Sequence, residues 1–212
     1  MACSAICQNM HVSSGEQGLT LLELLVVVAL IGILAAIAIP MSGNAIRYAK
    51  ISGDARNISN DLAVTKMRAA SKFTQARLYA DLAARTYYIQ TCSAPGTSPC
   101  PSWTTEGGAV SLSSTVAFGY SPAGVPPPNT QTGISQASLC KNSASPPADV
   151  SSTACIIFNS RGIPVDASGN PMGGYALYIN DSSAIYGITI AATGFTRVWR
   201  TNYSATPVWT QQ

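Results

Sequence analysis

From Leu24 to Ile39 the chain reads LLVVVALIGILAAIAI, sixteen residues without a polar side chain. With Leu19 to Leu22 ahead of it and Met41 behind, the stretch is long enough to cross a bilayer as a helix. The pattern then turns periodic. Ile51, Ala55, Ile58, Leu62, Thr65 and Ala69 recur at spacings of 4, 3, 4, 3 and 4, while Arg56, Asn57, Asn60, Lys66 and Arg68 mostly occupy the other faces. One helix is therefore predicted from about Leu19 to about Ser71, roughly 80 Å long at 1.5 Å per residue. Its first half is apolar all round and its second half is an amphipathic stem that packs on a head. Pro40 removes a backbone donor and Gly32 is a second weak point, so the helix is expected to kink there.

After Lys72 the period falls to two. Ala76, Leu78, Ala80 and Leu82 alternate with Arg77, Tyr79 and Asp81, and Thr86 to Gln90 reads as the return strand of a hairpin. Further strands are predicted at 109–112, 116–120, 155–159, 175–180, 184–192 and 195–200. The stretch 121–154 holds six prolines among Ser, Ala, Gly and Asn, and reads as a long surface excursion. The fold class is α+β, a long N-terminal helix on a mostly antiparallel β head, with bounds 19–72 for the helix and 73–212 for the head.

Composition narrows the chemistry. Charged residues make up only 10% of the 212, with 12 Lys and Arg against 9 acids. The single histidine, His11, lies near the N-terminus, so the body has no His base and no His-based metal site. No catalytic residue, cofactor or metal is expected. Asp166, Ser168 and Asn170 have the alternate oxygens of a calcium loop but lack its glycine and its closing acid, and read as a turn. Asp166 and Asp181 both sit in turn contexts, and nothing in the sequence pairs them for glycoside hydrolysis. Beyond Cys3 and Cys7, four cysteines remain: Cys92, Cys100, Cys140 and Cys155. They contain no CxxC knuckle, which favours disulfides over zinc and an oxidising compartment. Three pairings are open; the closest in sequence, Cys92 with Cys100 and Cys140 with Cys155, would staple two loops.

Glu23 stands at the mouth of the apolar run. A carboxylate in hydrocarbon costs about 2.5–3.5 kcal/mol at mid-membrane and less near an end, so it calls for a partner. A cleaved secretory signal, cut near 35–38, is the competing reading, but such a signal carries Lys or Arg where this chain has Glu23. Gly18-Leu19-Thr20-Leu21-Leu22-Glu23, the apolar run and Pro40 together resemble the class III signal of type IV pilins and type II secretion pseudopilins. The resemblance implies a leader, residues 1–18, cut by prepilin peptidase between Gly18 and Leu19, with methylation of the new amine. It also implies that Glu23, the fifth mature residue, attracts the N-terminal amine of a neighbouring subunit, and that the helix melts locally near Pro40 in the fibre. Partners implied are other major and minor pilins and an inner-membrane assembly platform, with the head in the periplasm. The chain departs from the family in having Leu19 where Phe is usual. Its leader also lacks Lys and Arg while Arg47 and Lys50 flank the other end, a charge bias that by itself favours the opposite orientation.

The C-terminal third carries a second resemblance. Ile156 to Pro164, Tyr175 to Asn180, Ile188-Thr189-Ile190 and Thr193 to Val198 look like the C-terminal domain of the GspH/FimT group of minor pseudopilins and minor pilins, which have a β-sandwich-like head. Some FimT-like pilins receive DNA through a Gly-Arg-x-Arg motif. This chain has Gly194-Phe195-Thr196-Arg197 with Arg200 beyond, and lacks the first arginine. A DNA contact through Arg197 and Arg200 is the alternative function. Against it, residues 73–212 hold six Lys and Arg against five acids, too few to neutralise many phosphates.

Overall fold

The computed structural model describes residues 20–212; side chains at 37–42 and at 44 are outside the described set. Helix α1 spans Leu21–Ser71 and runs through Gly32 and Pro40 as one helix. The chain divides into two units, Met1–Gly43 and Asn44–Gln212. The division falls inside the helix because the stem half shares its core with the head. Ile51, Ala55, Ile58, Leu62, Thr65 and Ala69, the stripe expected from the 3–4 spacing, are all fully buried.

The head holds two five-stranded antiparallel sheets. The first has the order β3-β2-β1-β7-β8, with β1 Ala76–Asp81, β2 Thr86–Cys92, β3 Trp103–Ser111, β7 Thr153–Phe158 and β8 Pro164–Val165. The second has the order β12-β11-β10-β9-β4, with β4 Ala117–Phe118, β9 Tyr175–Asn180, β10 Ala184–Ile190, β11 Thr196–Asn202 and β12 Thr210–Gln211. A small pair, β5 Cys140–Lys141 with β6 Asp149–Val150, stands apart. One apolar core joins the stem stripe to the inner face of each sheet. It takes Leu78, Ala80, Ile156 and Phe158 from the first and Leu177, Ile179, Tyr186 and Ile188 from the second. Alternation along each strand sends the intervening residues to the outer faces.

Three expectations change. Strand β3 starts at Trp103, not at 109: Thr104, Thr105, Glu106 and the two glycines after it carry no apolar alternation, and their pairing with β2 is what makes them a strand. Strand β7 likewise starts earlier, at Thr153, because pairing with β1 carries the ladder from Phe158 back to that residue. The stretch 121–154 is not a bare excursion. Besides β5, β6 and the start of β7, it buries Ala123, Ala137 and Cys140. Its first half reaches over Tyr178 on the outer face of the second sheet and along the edge of β9. There Gln136 bonds both backbone groups of Tyr178 at 2.8 Å, and Gln131 accepts a bond from the Tyr178 hydroxyl at 2.8 Å. A side-chain amide thus takes the place of a ladder neighbour, which no hydrophobic pattern announces.

The two ends of the stem are tied down by polar contacts. Asp54, 9% exposed, accepts bonds from the Ser113 backbone at 2.9 Å and its hydroxyl at 3.2 Å. Lys66 donates to the Gly194 carbonyl at 3.2 Å, where the β7–β8 and β10–β11 turns meet. In the last turn, Arg68 lies 3.3 Å from Glu106 of β3, and Lys72 pairs with the same carboxylate. The helix then closes with Thr74 N–H on Ala69 C=O and Phe73 N–H on Ala70 C=O, a Schellman end with Phe73 in the left-handed region at φ 51°.

Candidate assembly helix and head surface

The helix starts with a reciprocal-cap sequence, Thr20-Leu21-Leu22-Glu23. The Thr20 hydroxyl accepts the Glu23 backbone N–H at 3.2 Å, and the Thr20 carbonyl accepts the Leu24 N–H at 3.2 Å. Thr20 is therefore the N-cap and Glu23 the third helical residue. A carboxylate in the first turn opposes the positive end of the helix dipole. Among the described residues, Glu23 forms no ion pair within this chain, and its charge can meet that of another.

The helix that carries Glu23 is apolar on every side. Leu21 is 81% exposed and Leu34 67%, and Leu24, Leu25, Val28, Leu30 and Ile31 are all exposed between them. A helix of this kind belongs in lipid or among other helices, since in water its whole circumference is uncovered. Among the described residues no helix is long and apolar enough to cross a membrane. The apolar sequence itself continues through Ile37-Ala38-Ile39, beyond the last side chain described in that part. Gly18 and Leu19, the predicted cleavage pair, lie outside the described residues, as do His11, Cys3 and Cys7.

On the head, Cys92 is bonded to Cys100 and Cys140 to Cys155, the closest pairs in sequence among the three pairings left open. Both bridges sit at the first sheet. Arg197 and Arg200 do not form one strip. The register of β10 with β11 is unbroken, so residues 197 and 200 lie on opposite faces of β11. Arg197 is on the outer face, where Trp199 donates its indole N–H to Thr189 at 3.0 Å. Arg200 pairs with Tyr186 on the inner face and stacks over the Tyr48 ring of the stem at 4.8 Å. Burial pushes the Tyr186 hydroxyl up to about 12. The inner arginine is thus part of the stem–sheet packing, and a single outer arginine is left where a pair was expected.

The other charged candidates serve turns. Asp166 Oδ1 accepts the backbone N–H groups of Ser168 at 2.9 Å and Asn170 at 2.8 Å. Burial pushes the Asp166 carboxyl up, but the bonds from Asn170, Ser168 and Gly169 outweigh it and leave it below the ordinary value. Asp181 Oδ1 caps its own turn through Ser183 and Ala184. Among the described residues no group of three or more His, Cys, Asp or Glu is placed to hold a metal ion. Sequence reasoning missed Asp54, Lys66 and Arg77. Arg77 alternates with buried positions and so reads as solvent-facing, although it is 4% exposed.

Residues 13–39 match the prokaryotic N-terminal methylation motif. The match is confined to this N-terminal segment. The matched segment includes the Gly18–Leu19 pair, the capping box with Glu23 and the apolar run. No curated protein matches the chain. Among solved structures, the minor pseudopilin EpsH from the type 2 secretion system of Vibrio cholerae aligns with 9% identity and a TM-score of 0.34, over 77% of this chain and 96% of that one.

Proposed function

We propose that the chain is a minor pilin or pseudopilin of the GspH/FimT kind. It is cut by prepilin peptidase between Gly18 and Leu19, methylated at Leu19, and held in the inner membrane by α1 with its head in the periplasm. From there it enters a type II secretion pseudopilus or type IV pilus. The observation that carries this reading is the capped, uniformly apolar start of α1 within the methylation motif. Glu23 supplies a negative charge at the helix mouth, and the amine of a neighbouring mature subunit is its complement. Bringing the two together offsets the cost of burying either alone, so the pair selects one axial register among many greasy ones. The reading assigns the chain no catalytic step of its own.

Mass spectrometry of the membrane-extracted protein tests the processing. The expected result is a chain that begins at methylated Leu19; residues 1–18 intact, or the loss of the whole apolar run, overturns it. Assembly is tested by Glu23→Ala, which should leave the protein in the membrane fraction and remove it from sheared fibres. DNA reception is the weaker reading. The separation of Arg197 from Arg200 across β11 leaves too little charge on one face to hold a phosphate backbone near physiological salt.

A further inference from the structure

The outer face of the first sheet holds a cavity of about 180 Å³ between the two disulfide-closed loops. Pro99, Trp103, Pro147 and Ile157 make apolar walls, and Arg77 and Lys141 are its basic residues. Arg77 is the unusual member. It is 4% exposed and belongs to none of the ion pairs formed among the described residues. Its Nε donates to Gln90 Oε1 at 2.8 Å and its Nη1 to the Lys141 carbonyl at 2.9 Å. A guanidinium has five N–H donors, so three remain beyond these two bonds. The guanidinium lies 4.1 Å over the Trp103 ring and 5.4 Å from that of Tyr79, which fixes its plane. Burial lowers its pKa to about 10, so it stays charged at neutral pH.

The groups around it leave that charge unanswered. Lys141 is occupied by Asp149 at 2.7 Å, and the stacked rings of Tyr79 and Tyr88, 4.8 Å apart, supply no carboxylate. A buried cation normally has a counter-charge, because isolation in a low-dielectric site is costly. Gln90 and the Lys141 carbonyl supply dipoles, not charge. We propose that this pocket receives a carboxylate borne on a small apolar body, the carboxylate on the free donors of Arg77 and the body against Trp103, Pro99 and Pro147. A single cation with a planar fork suits a monoanion such as a carboxylate. The two disulfides hold the walls at a set distance, so the site is preformed. The same chemistry is offered by a free small acid and by the C-terminus of a protein chain.

The test is titration calorimetry on the unassembled, oxidised full chain in detergent, which does not depend on the assembly reading. The probes are N-acetyl-leucine, a tetrapeptide ending in leucine, and the C-terminal amide of each. Either acid should bind at least about tenfold tighter than its amide, the difference expected for hydrogen bonds to a charged group. Binding of the tetrapeptide assigns the site to chain ends, and binding of N-acetyl-leucine alone assigns it to free acids. Arg77→Met should abolish the preference, whereas Trp103→Leu should weaken both acid and amide and keep it. Should Arg77→Met fail to fold, the Arg77 Nε–H resonance of the parent protein decides: it should shift with acid and stay fixed with amide. Equal binding of acid and amide, or no binding of either at about 10 mM, overturns the proposal.

Discussion

Phe73 occupies the left-handed position of a Schellman end, a place where a Cβ costs about 1 kcal/mol or more. Its side chain is 78% exposed and loses little packing on removal. Phe73→Gly should therefore leave stability unchanged or raise it by up to about 1 kcal/mol, read from the urea midpoint of the full chain in detergent. Gly194 is the opposite case. Its φ is +75°, and a Cβ there would stand 2.3 Å from the Gly162 carbonyl oxygen. Gly194→Ala must pull the two turns apart and release the Lys66 bond, at an expected cost of about 2–3 kcal/mol in the same measurement. Asp54→Ala removes the acceptor for Ser113 from a buried site, and about 1–3 kcal/mol should be lost. Neither Asp54 nor Gly194 was marked out for its contact by the residue pattern, because each derives its role from a backbone group distant in the chain.

At the scale of elements, the stem is held by a buried stripe along its length and by charge at its last turn. Burial pushes the Glu106 carboxyl up, but Lys72, Thr91 and Arg68 outweigh it and hold it below its ordinary value of 4.5. A depressed carboxyl pKa contributes stability above the unfolded value and loses it as pH falls through the folded one. Glu106→Gln should thus cost up to about 1 kcal/mol at pH 7, since Arg68 and Lys72 are about half exposed, and nothing once the pH is well below the depressed pKa. Urea titrations of parent and variant at the two pH values measure it, and added salt should shrink the difference at pH 7. The stem stripe was legible because a helix face repeats every 3 to 4 residues and all six positions are apolar or small. The first part of strand β3, 103–108, was not: its residues beyond Trp103 are half exposed or exposed, and an edge strand needs only its backbone partner.

For the whole molecule, the covalent links and the polar seams matter most. Deleting the Cys140–Cys155 bridge with paired serines should cost about 3 kcal/mol and deleting Cys92–Cys100 about 2.5 kcal/mol by chain entropy, both read as shifts of the urea midpoint. Either deletion should also loosen the walls of the Arg77 pocket and weaken its ligand, a second readout that separates the loops' local role from global stability. The amino-acid order alone determined the long helix α1, the stem stripe, most of the inner strands and the N-terminal methylation motif. All of these depend on periodicity or on residues adjacent in the chain, which a single segment expresses without help. Only the tertiary structure decided the cysteine pairing, the seat of loop 121–136 on the second sheet, the parting of Arg197 from Arg200, and the enclosure of Arg77. Each of those depends on which faces meet, and strand register and long-range packing set that, not local pattern.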